Sequence, residues 1–167
     1  RGCNASGLMV THDPEEAMSI CDKVAVMNEG KIHQIDTPIN LLNNPKTIFV
    51  SSFILGNNII NLYKTGNSFM SCLGEINSSG LSNKTNIQSM SISPKFISIK
   101  KSKFGNAVVL SKEFLGEFLI YKVSINDDTL RVRTNINNIL NNGDKCSLSI
   151  NNNSYYFLYP GAQKVYI

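Results

Sequence analysis

Tryptophan is absent from this 167-residue chain, arginine occurs three times and alanine five times. Asparagine and isoleucine take up the room, with 22 and 19 copies, and lysine outnumbers arginine 13 to 3. That bias follows AT-rich codon usage, so a scattered lysine or asparagine is not in itself evidence of a site. No apolar run reaches the ~18 residues that a membrane-spanning helix needs. The longest candidate, around Phe49 to Ile60, is interrupted by Ser51, Ser52, Gly56, Asn57 and Asn58. Cys3, Cys21, Cys72 and Cys146 stand alone, none at C-x-x-C spacing, and there are only two histidines. This argues against a structural zinc site and fits free thiols in a reducing compartment better than a disulfide framework. Asn-x-Ser/Thr triplets such as Asn83-Lys84-Thr85 are expected by chance in so Asn-rich a chain.

What is present suffices for a packed core. Hydrophobic residues make up 42% and charged residues 17%, which excludes wholesale disorder. The net charge of +4 is unevenly spread: residues 1–61 sum to −2 and residues 62–167 to +6. A step of this kind suggests two units.

The early part alternates strand and helix signals. Gly7 to Thr11 is a short apolar run that predicts a buried strand, with His12 at its end. Asp13-Pro14-Glu15-Glu16 then predicts a helix start. Asp13 serves as cap, Pro14 suits the first turn, and the glutamates favour the positive end of the helix dipole. Lys23 to Met27 predicts a second buried strand. Asn28-Glu29-Gly30 is a turn, and Lys31 to Ile35 an alternating hairpin partner. Asp36-Thr37-Pro38 opens a short helix with Ile39, Leu41 and Leu42 on its apolar face, and Asn43-Asn44-Pro45 closes it. A further helix is predicted from about Lys46 to Leu55, with Phe49, Val50, Phe53 and Ile54 on one side and Gly56 as its C-cap.

After about Ile59 the pattern becomes short β-type runs between Gly, Asn and Ser turns. The runs are Ile59–Tyr63, Ser68–Leu73, Ile87–Ile92, Phe96–Ile99, Ala107–Leu110, Phe118–Ile125, Thr129–Thr134, Ser147–Ile150 and Tyr155–Leu158. Asn126-Asp127-Asp128 and Asn142-Gly143-Asp144 read as turns. Many short strands at this spacing predict a small barrel or sandwich. The expected fold is therefore an α/β segment followed by an all-β, OB-like small barrel. Phe114-Leu115-Gly116 reads as a strand and a bend, with Gly116 allowing close backbone approach at a barrel corner. Tyr155, Tyr156, Phe157 and Tyr159 read as a packing cluster, and His33, within a hairpin strand, as structural or merely exposed.

The string LMVTHDPEEAMSICDKVAVMNEGKIHQIDTP resembles the switch region of ABC-transporter ATPase domains: a buried strand ending in Thr-His-Asp, a helix, then a hairpin of the form apolar-Met-x-x-Gly-x-Ile. LLNNPKTIFVSSFILGNN resembles the helical exit of the importer subclass that carries a C-terminal regulatory domain. Ile92-Ser93-Pro94-Lys95, Phe114-Leu115-Gly116 and Asn142-Gly143-Asp144-Lys145 resemble pieces of that subclass's OB-like TOBE barrel. Ser93-Pro94-Lys95 stands where those importers commonly show Arg-Pro-Glu, so no regulatory ligand is assigned to the barrel. The resemblance implies a division into residues 1–61, ending a P-loop NTPase nucleotide-binding domain, and residues 62–167, a TOBE-type barrel. SICDKVAVMN, EFLGEFLIYKV and FLYPGAQ look closest to cyanobacterial-type ferric-iron importers; polyamine, sulfate and sugar importers share the plan.

On spacing alone, His12 reads first as a surface or satisfied histidine at a strand end. The resemblance implies a switch histidine that reaches the γ-phosphate of ATP and helps place the attacking water, a role of positioning and electrostatics. Asp13, Glu15 and Glu16 read as cap and dipole partners rather than acid/base groups. No metal ligand is assigned. The sequence holds no Gly-x4-Gly-Lys-Ser/Thr loop, no apolar run ending in Asp-Glu and no Leu-Ser-Gly-Gly-Gln signature. With Arg1 in place of an initiator Met, the chain is expected to be the C-terminal portion of a longer subunit, inactive alone. ATP and Mg2+ would be bound mainly by the other portion. The implied partners are a second ATPase subunit, a transmembrane permease and, indirectly, a periplasmic solute-binding protein. The implied location is peripheral, on the cytoplasmic face of the membrane. Nucleic acid is not expected as a partner. A stand-alone OB-like ligand- or nucleic-acid-binding domain is the alternative of another class, since the tail is basic and such barrels bind single strands.

Overall fold

A computed structural model describes residues 6–66, 68–76, 86–137 and 139–167. Cys3 and the Asn83-Lys84-Thr85 triplet lie outside these residues. The architecture is a short α/β segment followed by an all-β, OB-like region in three antiparallel sheets.

In the first part, helix α1 (Pro14–Ile20) leads to a hairpin of β1 (Val24–Asn28) and β2 (Lys31–Asp36), then to α2 (Pro38–Asn43) and α3 (Ile48–Leu55). Each helix starts on a side-chain cap. Asp13 Oδ1 accepts from the N–H groups of Glu15 and Glu16 at 2.8 and 3.4 Å. Thr37 Oγ1 accepts from Asn40 at 3.4 Å, and Thr47 Oγ1 from Val50 at 3.2 Å. Gly56 ends α3 in the left-handed region at φ 61°, which glycine enters without a Cβ penalty. A small core forms where Val24 and Val26 of the hairpin meet Leu41 and Val50.

Two expectations fail here. Gly7–Thr11 forms no strand: Leu8 is 94% and Val10 90% exposed. A strand needs a neighbour for its N–H and C=O groups, and no described segment lies beside this one to pair with it. Nor does the hairpin bury its isoleucines. Ile32 and Ile35 are each 55% exposed, whereas Gln34 is buried. An irregularity between Val26 and Met27 shifts the register, so that Gln34 lies opposite Val26 and Ile32 opposite Met27. Gln34 repays its burial with hydrogen bonds. Its Nε2 donates to Asn44 C=O at 3.0 Å and its Oε1 accepts from Lys46 N–H at 2.8 Å. On α2 only Leu41 is buried, with Ile39 and Leu42 left facing out. On α3 the inward pair is Val50 and Ser51, while Phe53 is 43% exposed.

The β region starts immediately. β3 (Asn58–Asn61) pairs with β7 (Ser89–Ile92), which pairs with β13 (Tyr155–Tyr159), which pairs with β14 (Gln163–Tyr166). A meander of β4 (Tyr63–Thr65), β5 (Ser68–Ser71) and β6 (Gly74–Ile76) forms a second sheet. The third has five strands: β8 (Ile97–Lys101), β9 (Ala107–Phe114), β10 (Phe118–Ile125), β11 (Asp128–Asn135) and β12 (Lys145–Ile150), in the spatial order β11-β10-β9-β12-β8. One core joins the sheets, with Ile60, Phe69, Met90, Ile92, Tyr121, Val123, Leu130 and Tyr156 among its members. Tyr121 is fully buried, and its hydroxyl accepts from Leu140 N–H at 2.9 Å.

β10 spans the predicted residues. β6 and β14 were not predicted, and β9 runs four residues past its predicted end. The last residue of the predicted run is a bulge: Lys122 lies opposite Ser111 but Val123 opposite Val109, leaving Leu110 as the extra residue, half-exposed. An alternating pattern is broken there by the device that bends the strand. Gly116 has φ +76° and open space where a Cβ would sit, so it serves the turn and not a close approach. The close approach is at Gly105, whose Cβ would lie 2.0 Å from the Cys146 carbonyl oxygen. The aromatic cluster packs as predicted, with Tyr156, Phe157 and Tyr159 buried.

A polar joint ties α3 to the β region. Ser51 and Ser91, both fully buried, hydrogen-bond through their hydroxyls, and Asn57 Nδ2 donates to them at 3.3 and 3.1 Å. The Tyr159 hydroxyl donates to Pro45 C=O at 2.7 Å.

Candidate functional site

His12 sits on the turn entering α1 and is exposed. Its neighbours hold that turn in shape. Asp13 N–H donates to Thr11 Oγ1 at 3.1 Å, Thr11 Oγ1 donates to Glu16 Oε2 at 2.7 Å, and Asp13 caps the helix. The hydroxyl and both carboxylates are thus engaged with one another and with backbone N–H groups. The imidazole between them makes no hydrogen bond among the described residues and faces solvent. The arrangement presents one ring nitrogen donor or acceptor from a pre-formed turn.

Asp13 and Glu15 behave as the sequence implied. Glu16 does more: it fixes Thr11, a contact five residues apart that neither capping rules nor helical spacing foretell. His33 is part-buried and structural. Its Nδ1 lies 3.3 Å from Thr47 Oγ1, and its ring packs 4.9 Å from that of Phe49. No set of three or more His, Cys, Asp or Glu among the described residues is placed to share a metal ion. No described helix is long and apolar enough to cross a membrane.

The thiols are free among the described residues. Burial, with the Asp128 carboxylate alongside, pushes Cys72 up to about 12. Burial also raises Cys146. Neither is a nucleophile at neutral pH.

No protein-family profile matches the chain. Individual proteins do. The chain is 52% identical over 60 residues to the spermidine/putrescine import ATP-binding protein PotA of Bacillus anthracis, a match covering 36% of this chain and 18% of that protein. It is 55% identical over 53 residues to the PotA of Desulfitobacterium hafniense (strain Y51), covering 32% of this chain and 15% of that one. It is 56% identical over 52 residues to the PotA of Trichormus variabilis, covering 31% and 14%. The chain thus spans less than a fifth of the length of these curated relatives. They are import ATP-binding proteins by name, and the solute they name is a polyamine rather than ferric iron.

Proposed function

We propose that this chain serves as part of the ATP-binding subunit of an ABC-type importer, and that the imported solute is a polyamine. The observation that carries this is the 52% identity over 60 residues to spermidine/putrescine import ATP-binding proteins. The pre-formed Thr11–His12–Asp13 turn supports it. The iron reading, first choice on the sequence alone, has no support in these relatives and gives way to the polyamine alternative.

In this proposal residues 1–61 belong with the nucleotide-binding unit and residues 62–167 form a TOBE-type barrel, β3 being the strand that carries the first part into the second. His12 would touch the terminal phosphate of ATP. A solvent-facing imidazole on a fixed turn fits such a contact, since phosphoryl transfer relies on positioned donors. Bound ATP with Mg2+ would supply the transferable phosphoryl group. In this proposal the chain contributes His12, held by the Thr11–Glu16 brace, to the phosphate contact. Partners in this proposal are a second ATPase subunit and a permease at the cytoplasmic membrane face, with a solute-binding protein acting through the permease.

The test is uptake of labelled putrescine, spermidine and ferric iron in cells with and without the intact gene. Polyamine uptake should fall in its absence and in His12→Ala, with iron uptake unchanged. Loss of iron uptake alone would restore the first choice. Polyamine uptake untouched by His12→Ala would remove the proposed role of that residue.

A further inference from the structure

A groove of about 510 Å³ opens between β8, β11 and the residues flanking them, its lining including Lys95, Ser98, Lys100, Arg133, Asn135 and Asn151. β8 and β11 are the two outer strands of the five-stranded sheet. The groove is therefore the place where the sheet curls round without joining edge to edge. It contains no residue of 1–61.

Three features set it apart from a solvated basic face. First, three cations line it and no carboxylate does. Among the described residues, the ion pair is Lys101–Asp144, and none of Lys95, Lys100 and Arg133 lies within ion-pair distance of an acid. Like charges gathered without a counter-charge repel, and an anion between them relieves that cost. Second, two of the cations are held in place. The Arg133 guanidinium stacks 3.6 Å from the centre of the Phe118 ring, and Lys95 Nζ lies 5.0 Å from that of Phe96. Third, part of the neutral lining is a fixed polar network. Ser98 Oγ donates to Asn151 Oδ1, and Asn151 Nδ2 donates to Lys95 C=O at 3.2 Å. This ties the segment carrying Lys95 to β8 and to the end of β12.

The geometry points to a binding site for a small, multiply charged phosphate compound. The volume lies in the ordinary range for small-molecule sites and leaves much space around one tetrahedral oxyanion. Three cations sharing one groove with neutral polar side chains match two or more linked anionic groups. The planar fork of Arg133 suits bidentate contact with a phosphate. The groove lacks exposed rings free to stack on successive bases, since Phe96 and Phe118 are already covered by Lys95 and Arg133. That disfavours a single-stranded nucleic acid.

The test is titration calorimetry of the 167-residue chain at low salt with inorganic pyrophosphate, sulfate and a single-stranded oligonucleotide. Pyrophosphate should saturate at one per chain, bind more tightly than sulfate and weaken as salt rises. Arg133→Gln and Lys100→Gln should each weaken it by roughly tenfold or more, in line with the loss of a charge-assisted contact. Lys31→Gln, on the remote hairpin, should leave it unchanged. Lys100 is an exposed strand position, so its variant tests the site even if Arg133→Gln disturbs Phe118. Absence of heat at low salt, sulfate binding as tightly as pyrophosphate, tighter binding of the oligonucleotide, or affinity untouched by both variants would each overturn the proposal. The outcome is independent of the transport proposal, because neither His12 nor polyamine enters it.

Discussion

Asn58 grips the backbone of Arg131 at both ends of its amide: Nδ2 donates to Arg131 C=O and Oδ1 accepts from Arg131 N–H, each at 2.8 Å. The two residues are 73 positions apart, and the bond pair links the four-stranded sheet at β3 to an outer strand of the five-stranded sheet. Asn58→Ala should therefore leave two backbone groups of β11 without partners. A loss of about 2–6 kcal/mol is expected, taking each of the two unsatisfied groups at the usual ~1–3 kcal/mol. Asn58→Asp keeps the shape but loses the donor, and should cost nearly as much. Urea unfolding checks both, and a loss under about 0.5 kcal/mol, the scale of an ordinary surface substitution, would show that water substitutes freely for the amide.

Two glycines should respond differently to alanine. Gly105→Ala puts a methyl group into the Cys146 carbonyl, a rigid backbone neighbour, and should cost roughly 3 kcal/mol, at the upper end of overpacking. Gly116→Ala meets no atom, and only its φ of +76° is unfavourable, for about 1–2 kcal/mol. Thermal unfolding of the pair should rank them in that order. Gly116→Asn should recover part of its loss, because asparagine tolerates the left-handed region.

Acid stability should depend on two partly buried carboxylates, Asp144 and Asp36. Asp144 is held below the ordinary range by Asn141 N–H, with Lys101 adding to it, and Asp36 by the Asn40 amide and Thr37 N–H. A carboxyl group whose folded pKa is depressed contributes stability above its unfolded value of about 3.9 and loses it as pH falls through the folded value. The native state should therefore weaken below about pH 4, in the window between those values. Asp144→Asn should flatten that acid limb while lowering stability at neutral pH. Chemical denaturation at stepped pH values measures both, and an unchanged acid limb would count against the assignment.

Thiol reagents should find Cys72 and Cys146 inert in the native chain at pH 8, since Cys72 is pushed up to about 12 and Cys146 is fully buried. Native labelling rates should be unaffected by Cys72→Ser and should rise for Cys72 and Cys146 only on unfolding. Prompt modification of Cys72 would show that its loop opens readily.

Local chemistry made the helices readable. Asp13, Thr37 and Thr47 each cap within three residues, and Gly56 closes α3, so their signals are contained in short strings. Most strands of the β region are readable as apolar runs between turns, β6 and β14 excepted. What escaped depends on distant partners. Gln34 is buried because Asn44 and Lys46 complete its amide, not because of any alternation in β2. Leu110 is displaced by a bulge set against β10. The failed strand at Gly7–Thr11 shows the same dependence in reverse: its apolar residues satisfy the local rule, but a strand is a property of two segments. At the candidate site, His12 and its helix cap could be located from Thr-His-Asp-Pro-Glu-Glu, whereas the Thr11–Glu16 brace could not. The cationic groove was invisible for a similar reason, because Lys95, Lys100 and Arg133 are scattered in sequence and gather only when the sheet curls.

Only Gly56 and Asn57 separate the last residue of α3 from the first of β3, and Asn57 is itself part of the Ser51–Ser91 joint. The two parts of the chain are therefore coupled as a crank rather than by a tether. Any shift of α3 that moved Ser51 would have to break its hydrogen bond to Ser91 or carry β7 with it. With Tyr159 fastened to Pro45 ahead of the helix, the β region holds the chain on both sides of α3.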